Sequence, residues 1–258
     1  MSPWHDLAVS PYDWPLDWDT LVVVPGMTAA YVWTQRRWPA SAARRIAFAA
    51  SQLLVLGVML TPIATIALHY LLSAHLLQNV VIAEWAPALA VIGLPPSLAR
   101  ELERLRLVRV VTHPLVALPA WLLSSYSWHL PVLYDTALEH QDSVLHLEHT
   151  SFFATGALLW WPVVHGRLSD GGRALYLFSA FVLASPLGLL LALLPNPVYD
   201  FYERAPHLWA LGHVTDQQIA GVTMAVEQAI VFFAVFVFFL GRFLRSEELT
   251  GVFSETRR

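Results

Sequence analysis

The sequence predicts an all-α fold: a polytopic bundle of seven transmembrane helices, with the N-terminus outside and the C-terminus cytoplasmic. Three observations carry that prediction. Of the 258 residues, 57% are apolar and only 13% are charged, where an ordinary soluble domain has about 25% charged; this excludes a soluble enzyme. The apolar residues gather in seven runs, each near the ~20 residues that cross ~30 Å of hydrocarbon at ~1.5 Å per residue. All fifteen basic residues are Arg; ten of them fall in alternate connections between the runs and four at the C-terminal end, which places fourteen on one side. The net charge of −4 argues against a nucleic-acid partner. The absence of Cys excludes disulfides, thiolate metal sites and thiol nucleophiles.

Residues 1–17 form an outer N-terminal segment that is acidic and aromatic, with Asp6, Asp13, Asp17 and, just beyond it, Asp19. It lacks the positive start of a cleavable signal, so the first apolar run is expected to stay in the protein. The transmembrane domain spans 18–245, with helices near 18–35, 46–68, 71–94, 109–128, 145–165, 173–195 and 217–241. Pro25-Gly26 interrupts the first, which Trp14 and Trp18 extend as interfacial anchors. The third and seventh carry Glu84 and Glu227 in mid-span, and Pro186 leaves room for an irregular sixth.

Cytoplasmic loops retain Arg, which sets the orientation. Arg36, Arg37, Arg44 and Arg45 lie in or beside the first connection, Arg100, Arg104, Arg106 and Arg109 in the third, and Arg167 and Arg173 in the fifth. Arg242, Arg245, Arg257 and Arg258 lie at the C-terminal end, which includes a cytoplasmic tail at 246–258; Arg204 alone falls on the other side. The segment ERLRLVR reads as a cytoplasmic surface.

With the chain so oriented, nine of the eleven histidines, His5, His69, His75, His129, His140, His146, His149, His207 and His213, fall at the outer side; His113 and His165 fall at the inner one. Most acids lie outside too, among them Asp135, Glu139, Asp142, Asp200, Glu203 and Asp216. Imidazole and carboxylate are the usual non-thiol ligands of Cu, Zn, Fe or Ni, so the outer face is equipped for a transition metal. The plain alternative is interfacial histidines bonded to water and headgroups.

In VLHLEHTSFF, His146 and His149 are three apart and share a helix face, with Glu148 beside them. His75 opens the third helix in SAHLLQN, with Gln78 and Asn79 a turn inward, and such a polar trio is costly in a bundle unless it bonds to something. His129 stands where the fourth helix meets the surface in SWHLPVLYD. Asp135 follows six residues later and is placed to orient a ligand imidazole or to cap a helix. Asp216 opens the seventh helix. A carboxylate at mid-bilayer costs ~2.5–3.5 kcal/mol or more. His75 to Glu84 is ~13 Å of helix and Asp216 to Glu227 is ~16 Å, so the two glutamates lie at similar depth. They are expected to face each other in an intramembrane polar site with Gln228, as a proton relay, a deeper metal stop or a structural pair. Met224, one turn above, adds a soft thioether to that site or simply packs.

The stretches SAHLLQN, WHLPVLYDTAL, HLEHTSFFATGALLWWPVV and DQQIAG, in that order, resemble the CtaG-type cytochrome c oxidase assembly factors, multi-spanning bacterial membrane proteins linked to copper delivery. The resemblance covers roughly 45–225, and its specific part runs from Trp128 to Val164. It implies a non-enzymatic membrane factor of the bacterial cytoplasmic (inner) membrane that binds or relays copper, Cu(I) or Cu(II), on its outer face. The implied partners are a haem-copper oxidase subunit or a periplasmic copper carrier, with a homodimer open to the chain. The residues it points to are His75, His129, Tyr134, Asp135, His146, His149, Asp216 and Gln217. Two departures stand out: Asn79 occupies the place of a second family histidine, and AVEQ with Glu227 replaces the aromatic and Pro-Gly residues after DQQ-x-AG. The competing readings are a haem-binding electron-transfer protein and a proton-coupled transporter using Glu84 and Glu227. Metal-dependent hydrolysis ranks below both, because neither an HExxH motif nor a serine triad is present.

Overall fold

Proline punctuates the apolar runs and sets where the helices begin. In the computed structural model, which describes residues 9–255 and the side chains of 9–246, every regular element is helical. His5, Asp6, Arg257 and Arg258 lie outside the described residues. Helix α1 (Trp18–Thr34) starts at Asp17, whose carboxylate accepts the Thr20 N–H at 2.6 Å, and carries Pro25 internally. Helix α2 is Ala42–Met59. The run expected at 46–68 then breaks, because Thr61 caps a new helix and Pro62, with no N–H to donate, opens it as α3 (Pro62–His69). Helix α4 is Leu72–Gly93 and contains a π-turn at Val81–Trp85.

Pro96 opens α5 (Pro96–Leu102), and α6 (Arg106–Val111) ends just before Pro114 starts α7 (Pro114–Trp128). The run expected at 109–128 is therefore two helices meeting at His113. Pro131 begins α8 (Pro131–Glu139), and a π-turn at Gln141–Leu145 leads into α9 (His146–Val164). The remainder comprises α10 (Asp170–Leu193), the single turn α11 (Asp200–Glu203) and the long α12 (His213–Glu255).

Among the described residues, four helices are long and apolar enough to cross a membrane: Ala42–Met59, Leu72–Gly93, Asp170–Leu193 and His213–Ser246. The helix exteriors suit lipid, since Leu53, Leu115, Leu190, Leu193, Ile230 and Phe238 are exposed while His75, Gln78, Asn79, Glu84, Glu148 and Gln228 are buried. That inversion of the soluble pattern is what an apolar solvent selects. Small residues let the helices approach. A Cβ on Gly221 would lie 2.5 Å from the Gly188 carbonyl oxygen, so α10 and α12 cross backbone to backbone there.

The two ends of the bundle differ in charge. At one end Arg44 donates to the Ile92 and Leu94 carbonyls at 2.6 and 2.7 Å, Arg242 pairs with Asp170 at 2.9 Å, and Arg100, Arg104, Arg109, Arg167 and His113 line one surface groove. The opposite end gathers Asp17, Asp135, His146 and Asp216 over an apolar cluster that includes Leu72, Leu76, Tyr134, Tyr199 and Tyr202.

Candidate functional site

Three histidines from three helices converge at the acidic end. His75 stands in the first turn of α4, His149 in the first turn of α9, and His129 caps the C-terminus of α7, where Pro131 bars continuation. Their exposures of 0, 7 and 8% place all three inside the protein. The His75 ring lies 6.2 Å from that of His149 and 5.2 Å from Tyr134; Tyr134 in turn lies 6.0 Å from His129. Tyr134 is thus the common neighbour of His75 and His129.

Neighbouring groups fix two of the three tautomers. The Tyr202 hydroxyl donates its only proton to the Ala67 carbonyl, so at 2.8 Å from His75 Nδ1 it accepts, and Nδ1 carries hydrogen. Burial first, and then the nearby Asp216 and Glu148 carboxylates, hold the Tyr202 pKa well above its ordinary value, so the hydroxyl keeps that proton. His129 Nδ1 sits 2.7 Å from the Ser125 carbonyl, which only accepts, so this Nδ1 is also protonated. Each ring therefore directs a bare Nε2 lone pair into the interior, and among the described residues neither Nε2 has a partner. Neither nitrogen of His149 has one either. An unpaired buried polar atom costs about 1–3 kcal/mol. Among the described residues, no group of three or more His, Asp or Glu side chains stands in an arrangement that could hold a metal ion.

Glu148 and Asn79 form the floor. Asn79 Nδ2 donates to Glu148 Oε1 at 3.0 Å, while Glu148 Oε2, Asn79 Oδ1 and Tyr134 Oη lack partners. Beyond them a cavity of about 20 Å³ is lined by Asn79, His129, Glu84, Met224 and Gln228, room for about one water. Gln228 donates to Glu84 at 3.2 Å, the Trp85 indole donates to Glu227, and the two carboxyl groups interact across the α4–α12 interface. Such a pair can hold a proton between its oxygens.

The other sequence-derived candidates lie elsewhere. His146 does not join His75 and His129; it meets Asp19 at 2.7 Å and Asp17 at 3.6 Å near the surface. Asp135 accepts the Asp200 and Phe201 N–H groups at 3.3 and 3.1 Å, so it caps α11 and is not an orienter of His129. Burial raises the Asp135 pKa, and those two N–H groups oppose the shift. Asp216 accepts the Leu72 and Ser73 N–H groups at 2.7 and 3.1 Å, capping the helix that carries His75. Gln217 pins the preceding loop through Val198 N–H and the Asn196 carbonyl. Glu148, Tyr202 and Ser125 belong to the site although the sequence did not single them out as site residues. HLEH held the only signal for Glu148; the roles of Tyr202 and Ser125 depend on distant contacts.

Apolar helix faces outside and polar side chains inside define a multi-helix membrane protein, with an imidazole cluster buried at one end. Residues 27–246 match the cytochrome c oxidase caa3 assembly factor family (Caa3_CtaG), and the chain belongs to it. It is accordingly an assembly factor with an oxidase as partner, and not a catalytic enzyme. Comparison with curated proteins and with solved structures finds no match.

Proposed function

We propose that the protein carries copper as cargo among His75, His129 and His149 and passes it to a haem-copper oxidase subunit in the same bilayer. The observation that supports this most is the set of buried imidazoles with unpartnered nitrogens. Neutral imidazole is a ligand form of copper. Two imidazoles held to one ion by bonds of about 2.0–2.1 Å place their rings about 6 Å apart, and the His75 and His149 rings stand 6.2 Å apart. Glu148 supplies a carboxylate to balance the ion's charge in a dry interior. No thiolate is present, which keeps the ion exchangeable, as a relay requires.

In this reading the chain is a seven-span protein of the bacterial inner membrane. Segments α1, α6–α7 and α9 complete the four longer helices, the arginine-rich end is cytoplasmic, and copper is taken up from outside. The test is elemental analysis of purified full-length protein. The wild type is expected to retain copper, and His75→Ala with His149→Ala to retain much less. Equal copper content in the two proteins refutes the assignment.

A further inference from the structure

The copper reading leaves open how an ion reaches three buried rings. His149 lines two different spaces, the histidine cluster and a cleft of about 330 Å³ between α1, α2 and α9. Helical spacing builds the cleft: Thr20, Val23, Val24 and Met27 share a face of α1, and His146, His149, Thr150 and Phe153 share a face of α9. At its mouth stand Asp17, Asp19 and His146, whose side chains are 18, 62 and 30% exposed. His146 is held between the two carboxylates, giving the entrance a local excess of negative charge. Deeper in, Gln52 is buried with an unpartnered Oε1, and Met27 and Met59 line the space, the Met59 sulfur also accepting from Gln78 Nε2 at 3.2 Å. One helical turn in from His146 is His149, buried, with both nitrogens unpartnered among the described residues.

We propose that this cleft is the loading site for a soft monovalent cation, Cu(I), which is drawn in at Asp17, Asp19 and His146, is held in the space that Met27 and Met59 line, and is delivered to His149. The proposal rests on the copper reading and adds the path and the oxidation state. The carboxylates focus cations at the mouth, an effect that changes association rates by about 10–10³-fold elsewhere. Thioether sulfur selects Cu(I) over harder ions. Three of the chain's four methionines, Met27, Met59 and Met224, line the two cavities that the buried histidines touch. In this reading His146 and His149 serve as successive stations, separated by about 4.5 Å of helix rise.

The test is the rate at which purified full-length protein in detergent takes up Cu(I) from a weak chelator, together with the final copper content. Asp17→Asn with Asp19→Asn removes the mouth charge, and Asn at position 17 keeps the α1 cap. It is expected to slow loading roughly tenfold, in the range of charge steering, and to leave the final content unchanged. Met27→Leu is expected to slow loading at unchanged mouth charge. Because the chain has no Cys, Thr150→Cys followed by a bulky thiol reagent plugs the cleft without touching a ligand and is expected to slow loading as well. Wild-type rates in the Asn pair and in the plugged protein overturn the route while leaving the copper site standing. A wild-type protein that takes up no copper overturns the site and the route together.

Discussion

Tyr202→Phe removes one oxygen, and the structure states what that oxygen does. It accepts the His75 Nδ1–H at 2.8 Å and donates to the Ala67 carbonyl near the end of α3. Without it the fully buried imidazole has two choices. It keeps Nδ1–H unpaired, at a cost of about 1–3 kcal/mol, or it moves the proton to Nε2 and occupies the lone pair needed for the ion. If the chain carries copper as proposed, both outcomes weaken its binding. Loss of such supporting hydrogen bonds lowers metal affinity about 10–100-fold, which is about 1.4–2.7 kcal/mol. The first choice, and the orphaned Ala67 carbonyl in either case, also lower stability, by about 2–4 °C in Tm per kcal/mol at this chain length. Thermal unfolding followed by the fluorescence of the chain's eleven tryptophans reads the stability effect. Competition with a Cu(I) chelator reads the affinity. A variant with wild-type Tm and wild-type affinity refutes the tautomer argument.

Two further substitutions test the scaffold. Gly156→Ala adds a Cβ that would lie 2.0 Å from the Ala83 carbonyl oxygen in the α4 π-turn; α9 must move off α4 at about 1–3 kcal/mol, seen as a lower Tm and, because Asn79 and Glu148 are drawn apart, as weaker copper retention. Asp216→Ala strips the cap from the Leu72 and Ser73 N–H groups and is expected to cost about 0.5–2 kcal/mol, whereas Asp216→Asn keeps one acceptor and falls between; thermal unfolding ranks the three proteins.

Much of this architecture is legible in the amino-acid order, for reasons that differ by residue. Leucine-rich runs and alternating Arg clusters report on the solvent around each segment, so the apolar helices and the charge sorting of the two ends could be read directly. Pro62 and Pro114 were equally visible, yet a hydropathy run does not register a lost N–H, so two runs expected to be continuous are broken helices. Among the candidate ligands, His75, His129 and His149 lie on helix ends that meet, and position along the chain located those ends. His146 did not join them, because spacing of three residues gives a shared face but not which neighbour covers each turn, and Asp17 and Asp19 from α1 cover the outer one. Asp135 and Asp216 had looked like ligands since a carboxylate serves a cap or a metal equally well, and only the positions of the Asp200, Phe201, Leu72 and Ser73 N–H groups decide. Tyr202 acts on His75 across more than a hundred residues of chain, and no local pattern encodes that.

The π-turn in α4 settles a matter of phase. At about 100° per residue, the nine steps from His75 would carry Glu84 to the far side of an uninterrupted α-helix. The wider turn at Val81–Trp85 takes up one residue without the corresponding rotation, and Glu84 ends on the same cavity wall as Asn79. The helix is thus two rulers joined with an offset, one graduated for the imidazoles and one for the carboxyl pair. An inserted or deleted residue near position 83 would leave each half intact and dissolve their common wall.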